Sequence, residues 1–275
     1  MICFPNAKIN LGLRITEKRP DGYHNLETVF YPIGLKDALE SVPNTHHTDY
    51  SLSVCRMNGI DLMDDSADNM VTKAFRLLQS KYAIRPMDFY LHKAIPTGAG
   101  LGGGSSDAAF TLKLINKTNN LGLSTFELED LSTHLGADCS FFIKNKPTFA
   151  TGIGTVFEDI DLSLKGYYLI LIKPDIHVST AEAYSLVHPV HPDFSLKDVL
   201  TDPITTWKNT VVNDFEVSVF ERFPQIKSIK EQMYKHGAIY ASMSGSGSSV
   251  YGLFNEPVNL RQSFPDCFYW CETLV

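Results

Sequence analysis

The chain is poor in cysteine, in long apolar runs and in positive charge, and each shortage removes a class of protein. Its five cysteines, Cys3, Cys55, Cys139, Cys267 and Cys271, are odd in number and contain no Cys-x-x-Cys. Neither a disulfide framework nor a thiolate zinc site is expected, and reduced thiols in a cytoplasmic protein fit best. The longest obvious apolar run, Tyr167 to Ile172, is far short of a membrane span. Met1-Ile2-Cys3-Phe4-Pro5 has no basic region followed by an apolar stretch, so no signal peptide is expected. Lys and Arg total 24 against 31 Asp and Glu, for a formal net charge of -7, and the basic residues are scattered. A nucleic-acid partner is therefore not expected. Any phosphate must be held by local geometry rather than by the overall field.

What remains is an ordinary globular composition. Hydrophobic residues are 44% and charged residues 20% of 275, so disorder, collagen-like repeats and disulfide scaffolds are excluded. At about 150 residues per domain this length is one large or two modest domains. A chain of this mass folds to about 12,000 Å² from about 44,500 Å² extended, enough burial for a core without staples.

Two sections can be read along the chain, 1–152 and 153–275. The first opens with alternating strand text at Lys8–Leu13, a turn at Pro20-Asp21-Gly22, and strand candidates at Glu27–Ile33 and Tyr50–Val54. A helix fits Asn69–Tyr82, with Asp68 as its cap and Val71, Ala74, Leu77 and Leu78 on one face. A strand at Asp88–Ile95 runs into a glycine-rich loop, and a helix from Ser105 to about Lys117 follows. Ser124-x-x-Glu127 is a capping box, with Gly136 as a stop. The second section has strands at Tyr167–Lys173, Ala238–Met243, Val250–Phe254 and Phe268–Thr273. It also has a capping box at Ser179-x-x-Glu182 and a helix at Pro224–His236. Helices alternate with strands, yet hairpin-like pairs occur, so the class is α+β rather than a parallel sheet.

The strongest local signal is the loop Pro96-Thr97-Gly98-Ala99-Gly100-Leu101-Gly102-Gly103-Gly104-Ser105-Ser106, with five glycines in seven positions. Glycine lets another group approach the backbone closely. Free amides at the following helix start favour anionic oxygens. The Ser105 and Ser106 hydroxyls add donors or reach a phosphate-bound magnesium. A nucleotide triphosphate cradle explains this better than a plain linker, which rarely joins a strand directly to a small-residue helix start. No glycine precedes a lysine, and His-Arg-Asp and Asp-Phe-Gly are missing, so neither a P-loop nor a protein-kinase site is present. Gly98-x-Gly100-x-x-Gly103 matches the dinucleotide pattern, but its mid-chain place and helical sequel argue against an oxidoreductase.

From Pro96 to Ala109 this loop resembles the phosphate loop of the GHMP small-molecule kinases. Pro5-Asn6-Ala7-Lys8-Ile9-Asn10-Leu11-Gly12-Leu13 is similar to that family's N-terminal motif, and Ser242–Tyr251 to its C-terminal glycine motif. Three blocks in order across almost the whole chain are far more specific than one. The resemblance implies the two-domain GHMP kinase fold. Its active-site cleft would lie between an N-terminal βα domain for ATP and catalysis and a C-terminal ferredoxin-like domain. Arg19-Pro20-Asp21-Gly22-Tyr23-His24, Gly136–Phe142 and Val178–Tyr184 resemble a branch of the family acting on a cytidine diphosphate-linked methylerythritol in non-mevalonate isoprenoid synthesis. ATP and magnesium are the implied cofactors. Two departures are Ser140, where Pro is more usual, and Thr151 before Gly152, where Arg is common.

The resemblance gives roles to single residues, each with a plainer alternative. Asp138 is the candidate base for the acceptor hydroxyl, or a helix cap. Lys8 stabilises negative charge beside it, or is a solvent-facing strand lysine. Asn10, of the same strand parity, bonds substrate hydroxyls or satisfies nearby backbone. Tyr23 and His24 stack on and read the cytosine, and Tyr184 completes the sandwich or packs in the core. Thr180 touches the methylerythritol phosphate region or extends the cap. Asn69 and Lys93 resemble adenine-pocket positions, Asn69 being equally a cap. The direct metal ligands and the oligomeric state stay open. Alternatives in function are a kinase for another small alcohol, such as homoserine or mevalonate, and a non-catalytic nucleotide sensor.

Other chemical-looking groups are read as inert. His46-His47 lies in a polar stretch, and His188-x-x-His191 is broken by prolines. Cys267-x-x-x-Cys271 fits one face of a strand, and Cys139 is not needed for phosphoryl transfer from ATP. Asp61, Asp64, Asp65 and Asp68 lack calcium-loop spacing.

Overall fold

The computed structural model describes residues 1–44, 55–60 and 69–275. The expected strand at Tyr50–Val54, the Asp68 cap, His46-His47 and the acidic cluster lie outside the described residues. In chain order the elements are β1 (Ile2–Cys3), β2 (Asn6–Lys18), β3 (His24–Lys36), β4 (Ala38–Pro43), β5 (Cys55–Gly59), α1 (Met70–Gln79), β6 (Met87–Lys93), α2 (Gly103–Thr118), α3 (Thr125–Thr133), α4 (Cys139–Lys144), β7 (Thr148–Thr151) and β8 (Val156–Asp159). There follow β9 (Tyr168–Lys173), α5 (Thr180–Tyr184), α6 (Leu196–Val199), α7 (Trp207–Thr210), α8 (Phe215–Arg222), α9 (Pro224–Lys235), β10 (Tyr240–Met243), β11 (Val250–Phe254) and β12 (Phe268–Thr273).

The chain packs as two compact units, and unit 2 takes in residues from both sides of position 152. Unit 1 comprises residues 1–7, 35–97 and 102–146; unit 2 comprises 8–34, 98–101 and 147–275. In unit 1 a four-stranded sheet of order β1-β4-β6-β5 carries α2 against β1 and β4, with α1 and α4 packed on α2. Ala108, Ala109, Leu112 and Ile115 are all buried on α2, as their spacing predicts. On α1 the core face is Val71, Ala74, Phe75 and Leu78, with Leu77 at its margin. Asn69 is the N-cap: its side chain accepts from the Thr72 amide. At α3 the capping box of Ser124 and Glu127 is fully formed.

Helix α2 begins at Gly103, two residues before the expected Ser105, because Gly102 takes the N-cap at φ 70. That left-handed turn suits a residue without Cβ. The last two loop glycines therefore belong to the helix.

Unit 2 holds two four-stranded sheets, β2-β3-β7-β8 and β10-β11-β9-β12. In the second, β9 lies between β11 and β12, and every pairing is antiparallel. Helices α5 to α9 connect β9 to β10, which makes a split β-α-β with β11 inserted, the ferredoxin-like order. Between β11 and β12 there is only a short 3-10 turn at Arg261–Ser263. Ile170, Ile172, Phe215, Ile226, Met233 and Val250 form part of one core with Leu13 and Ile15 of β2. Cys271 lies on β12 and Cys267 just before it, and both pack against the same core, as expected.

Strand β2 departs most from expectation. Alternation predicts a half-buried strand at Lys8–Leu13, yet residues 6–15 are all buried, so the strand is covered on both faces. Its polar side chains therefore cannot turn to water, and each must find a partner inside the protein.

Candidate functional site

Lys8 is 3 % exposed, which excludes the solvent-facing reading. Its Nζ donates to Asn10 Oδ1 at 2.6 Å and to the Gly100 carbonyl at 3.0 Å, and lies 5.1 Å from the Phe30 ring centroid. The Lys8 amide donates to the Leu101 carbonyl at 3.0 Å. A buried ammonium is thus tied, within unit 2, to the middle of the glycine loop. Asn10 is 2 % exposed and spends its amide internally: Oδ1 on Lys8, and Nδ2 on Thr28 Oγ1 at 2.9 Å.

The C-terminal glycine motif grips the same place. Ser244 Oγ donates to the Gly100 carbonyl at 2.9 Å and accepts from the backbone N–H of Asn10 at 3.2 Å. Tyr251, on β11, donates its hydroxyl to the Asn10 carbonyl at 2.7 Å. Asn213 Nδ2 donates to the carbonyls of Met243 and Gly245 and so fixes the turn. The two glycine segments touch through backbone. A Cβ on Gly100 would fall 1.9 Å from the Ser244 oxygen, and one on Gly247 would fall 2.2 Å from the Gly100 nitrogen. Only glycine permits that approach.

In unit 1 the helix start of α2 carries Ser105, Ser106 and Asp107. Ser106 is fully buried, and among the described residues its Oγ has no hydrogen-bond partner. Such an oxygen carries an uncompensated desolvation cost unless a ligand meets it. Lys93, at the end of β6, is buried between Asp37 and Asp107: its Nζ donates to Asp37 Oδ2 and, at 2.7 Å, to Asp107 Oδ2. Asp37 Oδ1 also accepts from the amides of Ala94 and Ile95. Burial works to lower the Lys93 ammonium, but the two carboxylates outweigh it and hold it above its ordinary value. Burial pushes the Asp107 carboxyl up to about 7. The expected adenine-pocket lysine therefore stands in an internal ion triad joining the strand before the loop to the helix after it.

Asp138 belongs to unit 1 and immediately precedes α4. It occupies the N-cap position but makes no side-chain cap hydrogen bond. The cap reading is therefore not realised. Cys139 beside it is buried, and that burial pushes its thiol up to about 11, which keeps it out of nucleophile chemistry.

The aromatic group forms with a difference. His24 and Tyr184 stack on each other at 4.6 Å between centroids and 26° between planes, and Tyr184 meets Phe215 edge-on at 4.7 Å. A base held between two rings needs about twice a single stacking distance. No base fits between His24 and Tyr184, so the histidine expected at the edge of the cytosine instead forms one platform with Tyr184. Tyr23 stands 63 % exposed just after the Arg19–Asp21 turn. Thr180 is exposed as the first residue of α5, whose cap is completed by Ser179 and Glu182 without it.

Sequence reasoning gave no role to Thr28, Asp37, Asp107 or Ser244. Asp107 and Ser244 lay inside the quoted motifs, where their chemistry was readable. Thr28 and Asp37 carried no signal, because their partners are distant in sequence.

A strand lysine bound to a glycine loop that leads into a helix is the architecture of a small-molecule phosphotransferase. Residues 69–146 match the GHMP kinases N terminal domain and residues 206–268 the GHMP kinases C terminal domain. The chain belongs to the GHMP kinase family. It is 57% identical over 93% of its length to 4-diphosphocytidyl-2-C-methyl-D-erythritol kinase of Bacteroides fragilis, covering 92% of that protein. It is 54% identical to the enzyme of the same name from Parabacteroides distasonis, over 98% of each chain. A crystal structure of 4-(cytidine 5'-diphospho)-2C-methyl-D-erythritol kinase superposes with TM-score 0.83 and 29% identity over 98% of both chains. Mevalonate kinase of Methanococcus jannaschii shares the fold, at TM-score 0.69 and 15% identity over 100% of this chain and 98% of that one. Among the described residues no helix is long and apolar enough to cross a membrane.

Proposed function

We propose that this protein transfers the γ-phosphoryl group of ATP to a hydroxyl of 4-diphosphocytidyl-2-C-methyl-D-erythritol, a step of isoprenoid precursor synthesis. The observation that carries this reading is the buried Lys8 ammonium bonded to the Gly100 carbonyl. It places a fixed positive charge on the loop that the family uses for phosphate.

Phosphoryl transfer needs alignment, charge stabilisation and a destination for one proton. The glycine loop and the first amides of α2 take the phosphates, as a helix N-terminus favours anions. Lys8 offsets the charge that grows on the transferring group. Its bonds to Asn10 Oδ1 and the Gly100 carbonyl fix its position on the loop. Asp138 accepts the proton of the acceptor hydroxyl.

The buried, unpartnered Ser106 hydroxyl suits a magnesium ion carried by the nucleotide, and Ser106 is the residue that would hold it. The ion supplies charge neutralisation on the phosphate oxygens. Tyr23 and the His24–Tyr184 platform receive the cytosine on an outer ring face, and Asn69 serves the adenine.

Purified protein supplied with ATP, magnesium and this acceptor should release ADP and form the monophosphorylated product. Homoserine and mevalonate in its place should give little turnover. Folded protein that leaves the cytidine compound unphosphorylated rejects the reading. In the same assay Asp138→Asn should lower kcat by about 10²–10⁴-fold with ATP binding retained; an unchanged kcat removes Asp138 as base.

A further inference from the structure

The bonds around Asn10 do more than satisfy a buried amide. An asparagine offers an oxygen on one side and two N–H donors on the other, and nothing in its shape decides which faces Lys8. If the donor side faced the ammonium, two sets of N–H groups would oppose each other and Lys8 would lose a support. Something must therefore fix the amide.

Thr28, on β3 and 1 % exposed, does this by elimination. Its hydroxyl has one proton, and it donates that proton to the Gly12 carbonyl at 2.6 Å. With the proton so committed, Thr28 Oγ1 is left only as an acceptor. It can then meet only the donor side of Asn10, and Nδ2 stands 2.9 Å away. The oxygen of Asn10 is forced to the opposite side, 2.6 Å from Lys8 Nζ. The chain of bonds runs Gly12, Thr28, Asn10, Lys8, and each link sets the polarity of the next. All four residues lie in unit 2.

We infer that Thr28 is a positioning residue of the phosphoryl transfer, acting through Asn10 to hold the Lys8 ammonium in its catalytic place. Asn10 accordingly orients the lysine rather than gripping substrate hydroxyls. This rests on the catalytic reading of Lys8. A displacement of about 1 Å in a catalytic group costs up to about 10²-fold in rate.

Thr28→Val keeps the shape and removes the hydroxyl; Thr28→Ser keeps the hydroxyl and removes a methyl. Thr28→Val should lower kcat by about ten- to a hundredfold, with the KM for ATP and for the acceptor each within about twofold. Thr28→Ser should restore most of kcat, which a purely structural methyl contact would not predict. Lys8→Met is assayed beside them. If Lys8→Met keeps its turnover, the catalytic reading of Lys8 fails. If Lys8→Met is inactive while Thr28→Val works at the wild-type rate, only the positioning inference fails. It fails too if Thr28→Ser is as impaired as Thr28→Val, or if both KM values rise with kcat unchanged. Thermal midpoints establish folding for each variant, and Thr28→Ala replaces Thr28→Val if the latter does not fold. The same kcat criterion then applies.

Discussion

At the scale of single residues, this protein buries charge and gives each buried charge partners. Lys8 and Lys93 are both buried lysines, but their surroundings separate their roles. Lys8 is held by neutral acceptors, an amide oxygen and a carbonyl. Lys93 faces two carboxylates. The first arrangement ties the lysine to the glycine loop; the second ties the strand before that loop to the helix after it. Two acids around one base cannot all ionise without cost. Burial holds Asp107 up to about 7, well above its ordinary 3.8. A carboxyl raised in the folded state binds a proton that the unfolded chain has released. Its contribution to stability is therefore complete below pH 3.8 and is lost as pH rises through about 7. Asp107→Asn should remove that part of the pH dependence. Denaturant midpoints from pH 4 to 8 should fall less steeply for the variant than for the wild type. Parallel profiles would show that Asp107 is not the titrating group. The sequence showed lysines at positions 8 and 93 but not which was which. Only the partners decide, and they come from Asn10 and Gly100 in one case and from Asp37 and Asp107 in the other.

At the scale of elements, local signals set most boundaries. The capping boxes at Ser124 and Ser179 were readable because each is closed within four residues. Strands Val250–Phe254 and Phe268–Thr273 match their expected limits because turns bracket them. The start of α2 was misplaced for a local reason of another kind: glycine has poor helix propensity, yet Gly103 and Gly104 are helical here. The C-terminal glycine motif has a clear packing role. Gly247 lies where a Cβ would fall 2.2 Å from the Gly100 nitrogen. Gly247→Ala must push one backbone off the other, and the cost should reach about 3 kcal/mol, the upper end for overpacking. Melting should show a lowered midpoint, and the KM for ATP should rise because the Gly98–Leu101 segment moves. A variant with wild-type melting and KM would show that the two loops are not in this contact.

At the scale of the whole molecule, the chain order and the packing order differ. A reading along the sequence divides it at residue 152, at the glycine turn Thr151–Gly154. Unit 2 nevertheless needs β2 and β3 from the first section to complete the sheet β2-β3-β7-β8. Its core also takes Leu13 and Ile15 from β2. A fragment of residues 153–275 lacks these strands, so it should not fold by itself. Its circular dichroism should show no cooperative melt, whereas the full chain should melt cooperatively. A cooperative transition in the fragment would mean that β2 and β3 are dispensable to the core.

The sequence by itself determined the family, the order of its three motifs, the α+β class and the residue types available for phosphate chemistry. Those properties are local: spacing, turn residues and caps act over a few positions, and a glycine run is visible as written. Tertiary structure decided the burial of β2 on both faces, the separate fates of Lys8 and Lys93, and the direct stacking of His24 on Tyr184. It also decided the part played by Thr28. Each of these depends on what a side chain meets across tens or hundreds of residues. Desolvation and hydrogen-bond pairing act on that meeting, and neither is visible in the spacing of letters.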